Sequence, residues 1–302
     1  MNKQIDKSKL ELELNEKLNK LGNIKVLDIL KNDDISKVCK IELNGIELIL
    51  KIKNTSFTRN QIELINRLIS KGVKLTKIIR FEEVENIKYI FAELVEGVTL
   101  EKVMIDNKYI GVEQLLKELC KEIYKLHTSE GLDDIGHKKQ DNIEYMYSIK
   151  ENILNNIKYI NNIGKTEIIM KSIKMVKNFI GGSEQNIYGV VHGDFHNLSN
   201  IIVKNINEEY KINRLIDLDS IKYDIFLTDI GMLYNTTKYF KLEELIIDEY
   251  SNYFKDKEKI KRYTYISSIY ESLKNIDSEI NTEDKSSIIS HVKNIEEVLI
   301  KL

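Results

Sequence analysis

Residues 190–203 read VVHGDFHNLSNIIV and put an aspartate, two histidines and two asparagines into one short stretch. A short apolar run, Val190-Val191, leads into His192-Gly193-Asp194, and a second, Ile201-Ile202-Val203, leaves from Asn200. The pattern predicts strand, tight loop, strand. A carboxylate and an amide oxygen held that close suit phosphoryl transfer: the carboxylate receives a hydroxyl proton and the amide oxygen holds Mg²⁺. A second segment, Ile216-Asp217-Leu218-Asp219, follows seventeen residues after Asn200 at the end of a predicted strand. An aspartate at a strand end is ordinarily a turn former or a cap. Together with Asp194 and Asn200, Asp217 makes a plausible Mg²⁺ set, because this ion takes a couple of protein oxygens plus substrate phosphates. A third element is Lys51, on a strand whose inner face is Leu48, Leu50 and Ile52. On the opposite face, shared with Ile49, it can neutralise phosphates as a point charge. Lys53 shares that face and is a rival.

The other histidines carry less. His192, Asp194 and His196 have the residue types of a metal-dependent hydrolase, but two histidines on one loop need a distant third ligand. His196 reads more simply as a loop-packing residue. His127 continues the helix line Leu116-Cys120-Tyr124 and reads as buried, and His137 and His291 carry no message.

The elements that must position these groups are legible in the periodicity. Leu10, Leu14, Leu18 and Leu21 form a helical stripe over 7–21. Two alternating runs, 38–43 and 46–52, flank Asn44-Gly45 and predict a hairpin. Helical spacing returns over 58–71 and stops at Gly72; Ile87–Val95 predicts a strand with a break at Glu96-Gly97. After about residue 99 helices dominate: a stripe at Leu115, Leu119, Ile123 and Leu126, helices over 145–160 and 165–180, and helical periodicity from 229 onward. The exceptions are the 190–203 segment and a strand over Tyr210–Leu218. The expected fold class is α+β and two-lobed: residues 1–96 a small β-rich lobe with one inner helix, residues 97–302 a larger, mainly helical lobe, with a cleft between them.

Composition sets the outer bounds. The chain has 302 residues, 42% hydrophobic and 31% charged, enough for a large domain or two lobes with a real core. Forty-six basic and 48 acidic side chains leave a net charge of −2, so no general nucleic-acid binder is expected. Two cysteines, Cys39 and Cys120, are too few for a disulfide framework or a zinc site. With no apolar signal core and no 18-residue apolar run, a cytoplasmic protein without membrane contact is the expectation. The absence of proline removes the best loop markers.

On these residues the chain resembles the aminoglycoside phosphotransferase and choline kinase family, the small-molecule branch of the protein-kinase-like fold. His192-Gly193-Asp194, Asn200 and the 216–219 run resemble its catalytic loop and metal segment. Ser36–Ile41 with Leu48–Lys51 resembles its nucleotide loop and lysine strand, and Phe91–Gly97 its inter-lobe hinge. Leu126-His127 and Asp229-Ile230-Gly231 resemble a helix end and a helix start. The resemblance implies Asp194 as catalytic base, Asn200 and Asp217 as Mg²⁺ ligands, and Lys51 on the α/β-phosphates of ATP or GTP. It further implies Ser36 in the nucleotide loop, the backbones of Glu93 and Val95 on the adenine edge, Glu63 as the helix carboxylate for Lys51, and His192 and Asp229 as braces. Two alternatives stay open. Asp194 to Asn200 is one residue longer than the family's usual spacing, which makes Ser199 a rival ligand; Glu63 is the only glutamate of helix 58–71, but Gln61 fits better, one turn ahead of Ile65 and Leu68. The nucleotide loop, 31–37, has no glycine.

Only twelve residues lead from Asp217 to Asp229, too few for a long, phosphorylation-ordered activation segment. That favours a small hydroxyl acceptor, such as an aminoglycoside-like antibiotic, an amino alcohol or a sugar, over a regulated protein-kinase role. The acidic run Glu243-Glu244 with Asp248-Glu249 either attracts a cationic acceptor or is a solvated helix face. A second expectation, from a different class, is a non-catalytic kinase-like binding or structural protein, since spore-coat-associated relatives share the loop and the Tyr223-Asp224 pair.

Overall fold

A computed structural model describes residues 6–33, 36–53, 57–106, 111–129, 139–156, 164–182, 187–280 and 285–302. His137, residues 34–35 of the expected nucleotide loop and residues 157–160 of an expected helix lie outside them. By their contacts the residues fall into two units: 1–97 together with 213–219, and 98–212 together with 220–302.

The first unit is a five-stranded antiparallel sheet in the order β1-β2-β3-β5-β4, with helices α1 (Lys7–Lys17) and α2 (Arg59–Ser70). The strands are β1 Ile24–Asn32, β2 Ser36–Leu43, β3 Ile46–Lys53, β4 Ile78–Val84 and β5 Ile87–Glu93. The β2–β3 turn has positive φ at both Asn44 (52°) and Gly45 (83°), the geometry that matches strand twist in a two-residue hairpin. Leu10, Leu14 and Leu18 pack on one face of the sheet against Cys39, Ile41, Leu48, Leu50, Tyr89 and Phe91. Each fully buried leucine contributes roughly 2 kcal/mol. The period of two then turns Lys51 and Lys53 to the opposite face. Helix α2 starts with a capping box, Thr58 with Gln61, and buries Leu64, Ile65 and Leu68.

The second unit holds β6 (Val98–Thr99) and helices α3 (Leu100–Ile105), α4 (Val112–His127), α5 (Lys139–Asn155) and α6 (Thr166–Gly182). Strands β7 (Tyr188–Val191), β8 (Ile201–Ile206), β9 (Glu209–Leu215) and β10 (Lys222–Ile225) follow, β9 ending in the segment that joins the first unit. The chain ends in α7 (Leu227–Thr237), α8 (Glu243–Ser251), α9 (Lys257–Glu279) and α10 (Lys285–Leu299). Strand β7 pairs antiparallel with β10, and β8 lies between β6 and β9. The 23-residue α9 is the hub, packed on α5, α6, α7, α8 and α10. A Cβ at Gly231 of α7 would stand 2.8 Å from the backbone of Ser267, so glycine there lets α7 and α9 approach. Among the described residues no helix is long and apolar enough to cross a membrane. Both cysteines are buried free thiols; burial pushes Cys39 up to about 11, which leaves it unreactive.

Candidate active site

In the second unit, β7 delivers His192-Gly193-Asp194 and β8 leaves from Asn200, the strand–loop–strand that the sequence predicts. Asp229, on the first turn of α7 and fully buried, holds the loop. Its carboxylate accepts the N–H of His192 at 2.7 Å and of Gly193 at 2.9 Å. It also takes a contact from His127 Nε2 at 3.0 Å. His127 Nδ1 lies 2.7 Å from the hydroxyl of Tyr250. Burial and then the charge of Asp229 push that hydroxyl well above the usual phenol range, so Tyr250 keeps its proton. A carboxylate only accepts, so Nε2 of His127 donates to Asp229. Gly193 sits at φ +80°, and a Cβ there would stand 2.7 Å from the carbonyl oxygen of Ser220. The turn thus demands glycine twice over, by conformation and by space.

The extra residue before Asn200 is absorbed by a single 3₁₀ turn, Leu198–Asn200, capped by Asn197, whose Oδ1 accepts the Ser199 N–H at 2.9 Å. That turn carries Asn200 inward. It is buried, and its Nδ2 donates to the carbonyl oxygen of Asp194 at 2.9 Å and to Asp194 Oδ2 at 3.0 Å. Between Ser199 and Asn200, it is Asn200 that meets Asp194.

In the first unit Lys51 Nζ donates to Asp217 Oδ1 at 2.5 Å and lies 3.6 Å from Asp219 Oδ2. Lys53 pairs with Asp219. The two-residue spacing of the lysines on β3 therefore matches the two-residue spacing of the aspartates. Asp217 has φ +60°, a left-handed backbone that aspartate tolerates better than most residues. Lys53 and Gln61, the two alternatives weighed from the sequence, join this cluster, and Asp219 completes it beyond the expected set; the i, i+2 repeat of Asp and Lys was the available signal.

Two sequence expectations are corrected here. Glu63 is exposed, and the carboxylate partners of Lys51 are Asp217 and Asp219 instead. The inner face of α2 follows Gln61, Leu64, Ile65 and Leu68, and helical spacing turns residue 63 outward. Gln61 Nε2 donates to the carbonyl oxygen of Asp219 at 3.1 Å. Ser36 is buried, and its N–H donates to Asp33 Oδ1 at 2.7 Å, so this donor closes its own hairpin. At the expected hinge, β5 ends at Glu93, whose carboxylate accepts the Lys77 N–H at 3.0 Å and pairs with Arg214 at 3.3 Å. Half-buried Val95 follows beyond the ladder.

The other expected groups disperse. His192 is buried and stacked on Phe195 with ring centroids 4.5 Å apart, while His196 faces Glu271 at 3.5 Å. Among the described residues no group of three or more His, Cys, Asp or Glu side chains could hold a metal. Of the acidic run on α8, Glu244 pairs with Lys301 and Tyr265, and Asp248 with Lys261 at 2.8 Å.

No family model matches the sequence, and no curated protein does either. Solved structures match throughout the chain. A thermostable mutant of aminoglycoside phosphotransferase APH(4)-Ia aligns with TM-score 0.71 and 11% identity, covering 96% of this chain and 98% of that one. Spectinomycin phosphotransferase APH(9)-Ia, solved with ADP and spectinomycin, aligns at 0.62 and 14%, covering 98% and 95%. ADP-bound aminoglycoside phosphotransferase APH(2'')-Ib aligns at 0.60 and 16%, covering 95% and 97%. The chain has the kinase-like fold of the aminoglycoside phosphotransferases.

Proposed function

We propose that the protein is an ATP- or GTP-dependent phosphotransferase that moves a γ-phosphoryl group to a hydroxyl of a small molecule. The observation that carries this reading is the pairing of Asp194 with Asn200 on a loop whose backbone is clamped by buried Asp229. Phosphoryl transfer needs positioning and charge neutralisation more than covalent chemistry, and a clamped carboxylate supplies the first. Asp194 orients the acceptor hydroxyl and receives its proton. Asn200 holds the carboxylate of Asp194 through its amide N–H, which leaves its carbonyl oxygen for a cation. Lys51 neutralises nucleotide phosphates, and its present partner, Asp217, is the carboxylate ligand of the cation. Mg²⁺, when bound, would offset the charge that develops on the transferred phosphoryl group. The backbones of Glu93 and Val95 take the adenine edge. The solved neighbours with ADP or the non-hydrolysable nucleotide AMP-PNP support nucleotide use.

The test is Asp194→Ala in a nucleotide-consumption assay over hydroxyl acceptors. Turnover is expected to fall by about 10³-fold or more, with nucleotide binding and thermal midpoint nearly unchanged. Unchanged turnover would remove Asp194 from the chemistry.

One observation favours the non-catalytic reading: Glu63 stands away from Lys51, so the lysine lacks a helix carboxylate to hold it. Millimolar Mg·ATP or Mg·GTP is expected to raise the melting temperature of the catalytic protein; no shift with either would favour a binding or structural role.

A further inference from the structure

The second unit contains a cavity of about 1290 Å³, larger than a single sugar ring needs. Its walls are α3, the start of α4, the 192–200 loop, and the end of α7 with the turn after it. His196 and Leu198 reach its lining, two and four residues after Asp194, so the cavity borders the loop that carries the proposed base.

Among the described lining residues the charge is balanced: Glu101 and Glu113 line the cavity, and so do Lys117 and Lys241. A polycation needs an excess of carboxylates to replace its water, and the described lining has none to spare. Helix α4 enters the wall at Gly111 and Val112 without a side-chain cap, and the positive end of its dipole disfavours an ammonium group there.

The wall also presents an aromatic platform. Tyr239 is 86% exposed and is held edge-on by Phe240, with centroids 5.1 Å apart at 84°. Its predecessor Lys238 is tied to Asn294 at 2.7 Å and to Glu297, which fixes the turn. An exposed phenol ring on a fixed turn, beside hydroxyl, amide and charged groups, suits the apolar face of a sugar ring, with polar neighbours left for its hydroxyls.

We infer that this cavity takes the acceptor, that the acceptor is a neutral or zwitterionic polyhydroxyl compound rather than a polycation, and that the ring of Tyr239 stacks on it. The inference rests on the phosphotransferase reading and narrows it.

Saturation-transfer NMR on the full chain with Mg·AMP-PNP tests it, using paired probes: neutral disaccharides and the same sugars carrying amino groups. The neutral member of each pair is expected to bind at least as tightly as its amino counterpart. Tyr239→Ala is expected to weaken neutral binding by about tenfold, with Tyr239→Phe restoring it, since the platform is the ring and not the hydroxyl. Lys117→Glu is expected to move preference toward the amino sugars. Amino sugars bound more than about tenfold tighter by the unaltered protein, no saturation transfer to any neutral probe, or neutral binding indifferent to Tyr239→Ala would each overturn the inference. A thermal-shift titration with Mg·ATP and Mg·GTP runs alongside. A nucleotide shift with amino-sugar preference sinks the inference alone; absence of any nucleotide shift sinks the phosphotransferase reading with it.

Discussion

The candidate chemistry is carried by two clusters made of different materials. In the first unit, Lys51 and Lys53 meet Asp217 and Asp219 through ion pairs in which the side chain of Asp217 is 39% exposed. In the second unit Asp194 and Asn200 rest on Asp229, His127 and Tyr250, of which Asp229 and Tyr250 are fully buried. These pairs are partly exposed, the side chains of Lys51 and Lys53 at 14% and 12% and those of Asp217 and Asp219 at 39% and 22%, so they exchange partners at less cost than a sealed network, as a lysine must when phosphates arrive. A buried network cannot exchange, because each donor it loses stays unsatisfied. The contrast separates groups built to trade partners from groups built to hold still.

The largest effect should come from breaking the buried side. Asp229→Asn replaces one of two accepting oxygens with an N–H₂, which must then face either the Gly193 N–H or the pair formed by the His192 N–H and the ring nitrogen of His127. About 3–5 kcal/mol of stability should be lost, read from urea unfolding, because the remaining partners stay buried and unmatched. A loss under 1 kcal/mol would mean that the clamp is not preorganised.

A middling effect, with a pH signature, should come from Asp224 on β10, the strand beside β7. Burial pushes its carboxyl up, but Lys222, Asn142 and the Ile225 N–H outweigh burial and hold it below the usual value of 3.8. Asn142 donates at 2.8 Å and Lys222 pairs at 2.6 Å. A carboxyl depressed in the folded state contributes stability that is present above 3.8 and is lost as pH falls through its folded pKa. Asp224→Asn should cost about 1–3 kcal/mol at neutral pH. Below pH 3.8 the gap between the two proteins should narrow. Parallel urea titrations at neutral and acid pH check this, and a gap that widens in acid would reverse the assignment.

How much of this was legible in the sequence depended on what fixed each piece. The β2–β3 hairpin was readable because Asn44-Gly45 is the residue pair that such a turn needs. The β4–β5 and β8–β9 turns were not. They place Glu85 (φ 54°), Asn86 (65°), Asn207 (53°) and Glu208 (69°) in left-handed backbone with no glycine, and the strands must hold them there. Strand β4 was hidden for a related reason. Its sequence, IIRFEEV, is half-buried at best and shows no clean alternation. At the site, Asp194, Asn200, Asp217 and Lys51 stood out by type and spacing. Tyr250 did not, because its hydrogen bond joins α8 to the end of α4 across 123 residues of chain. The partners that Lys51 has in the structure were not legible, because a pairing between β3 and the 213–219 segment is tertiary, whereas the two candidates weighed, Glu63 and Gln61, lay on a helix close in sequence. Periodicity reports faces, and long-range pairings are chosen only when the faces meet.

The smallest effect on folding should come from the exchangeable side. Lys51→Met removes a cation whose main partner, Asp217, is more than a third exposed, and Lys53 remains two residues away on the same face. Stability should change by about 0–1 kcal/mol. Catalysis should not be spared, because a lysine that neutralises phosphate charge acts in the transition state: kcat/KM for phosphoryl transfer should fall by roughly 10²-fold. A large loss of stability with little loss of rate would invert the contrast and make Lys51–Asp217 a structural bridge. Small loss of stability with large loss of rate is what a lysine resting on Asp217 until nucleotide displaces it requires, and Lys53→Met separates the two lysines. If Lys53 only anchors Asp219, its removal should leave the rate within a few-fold; a matching collapse would assign the phosphates to both.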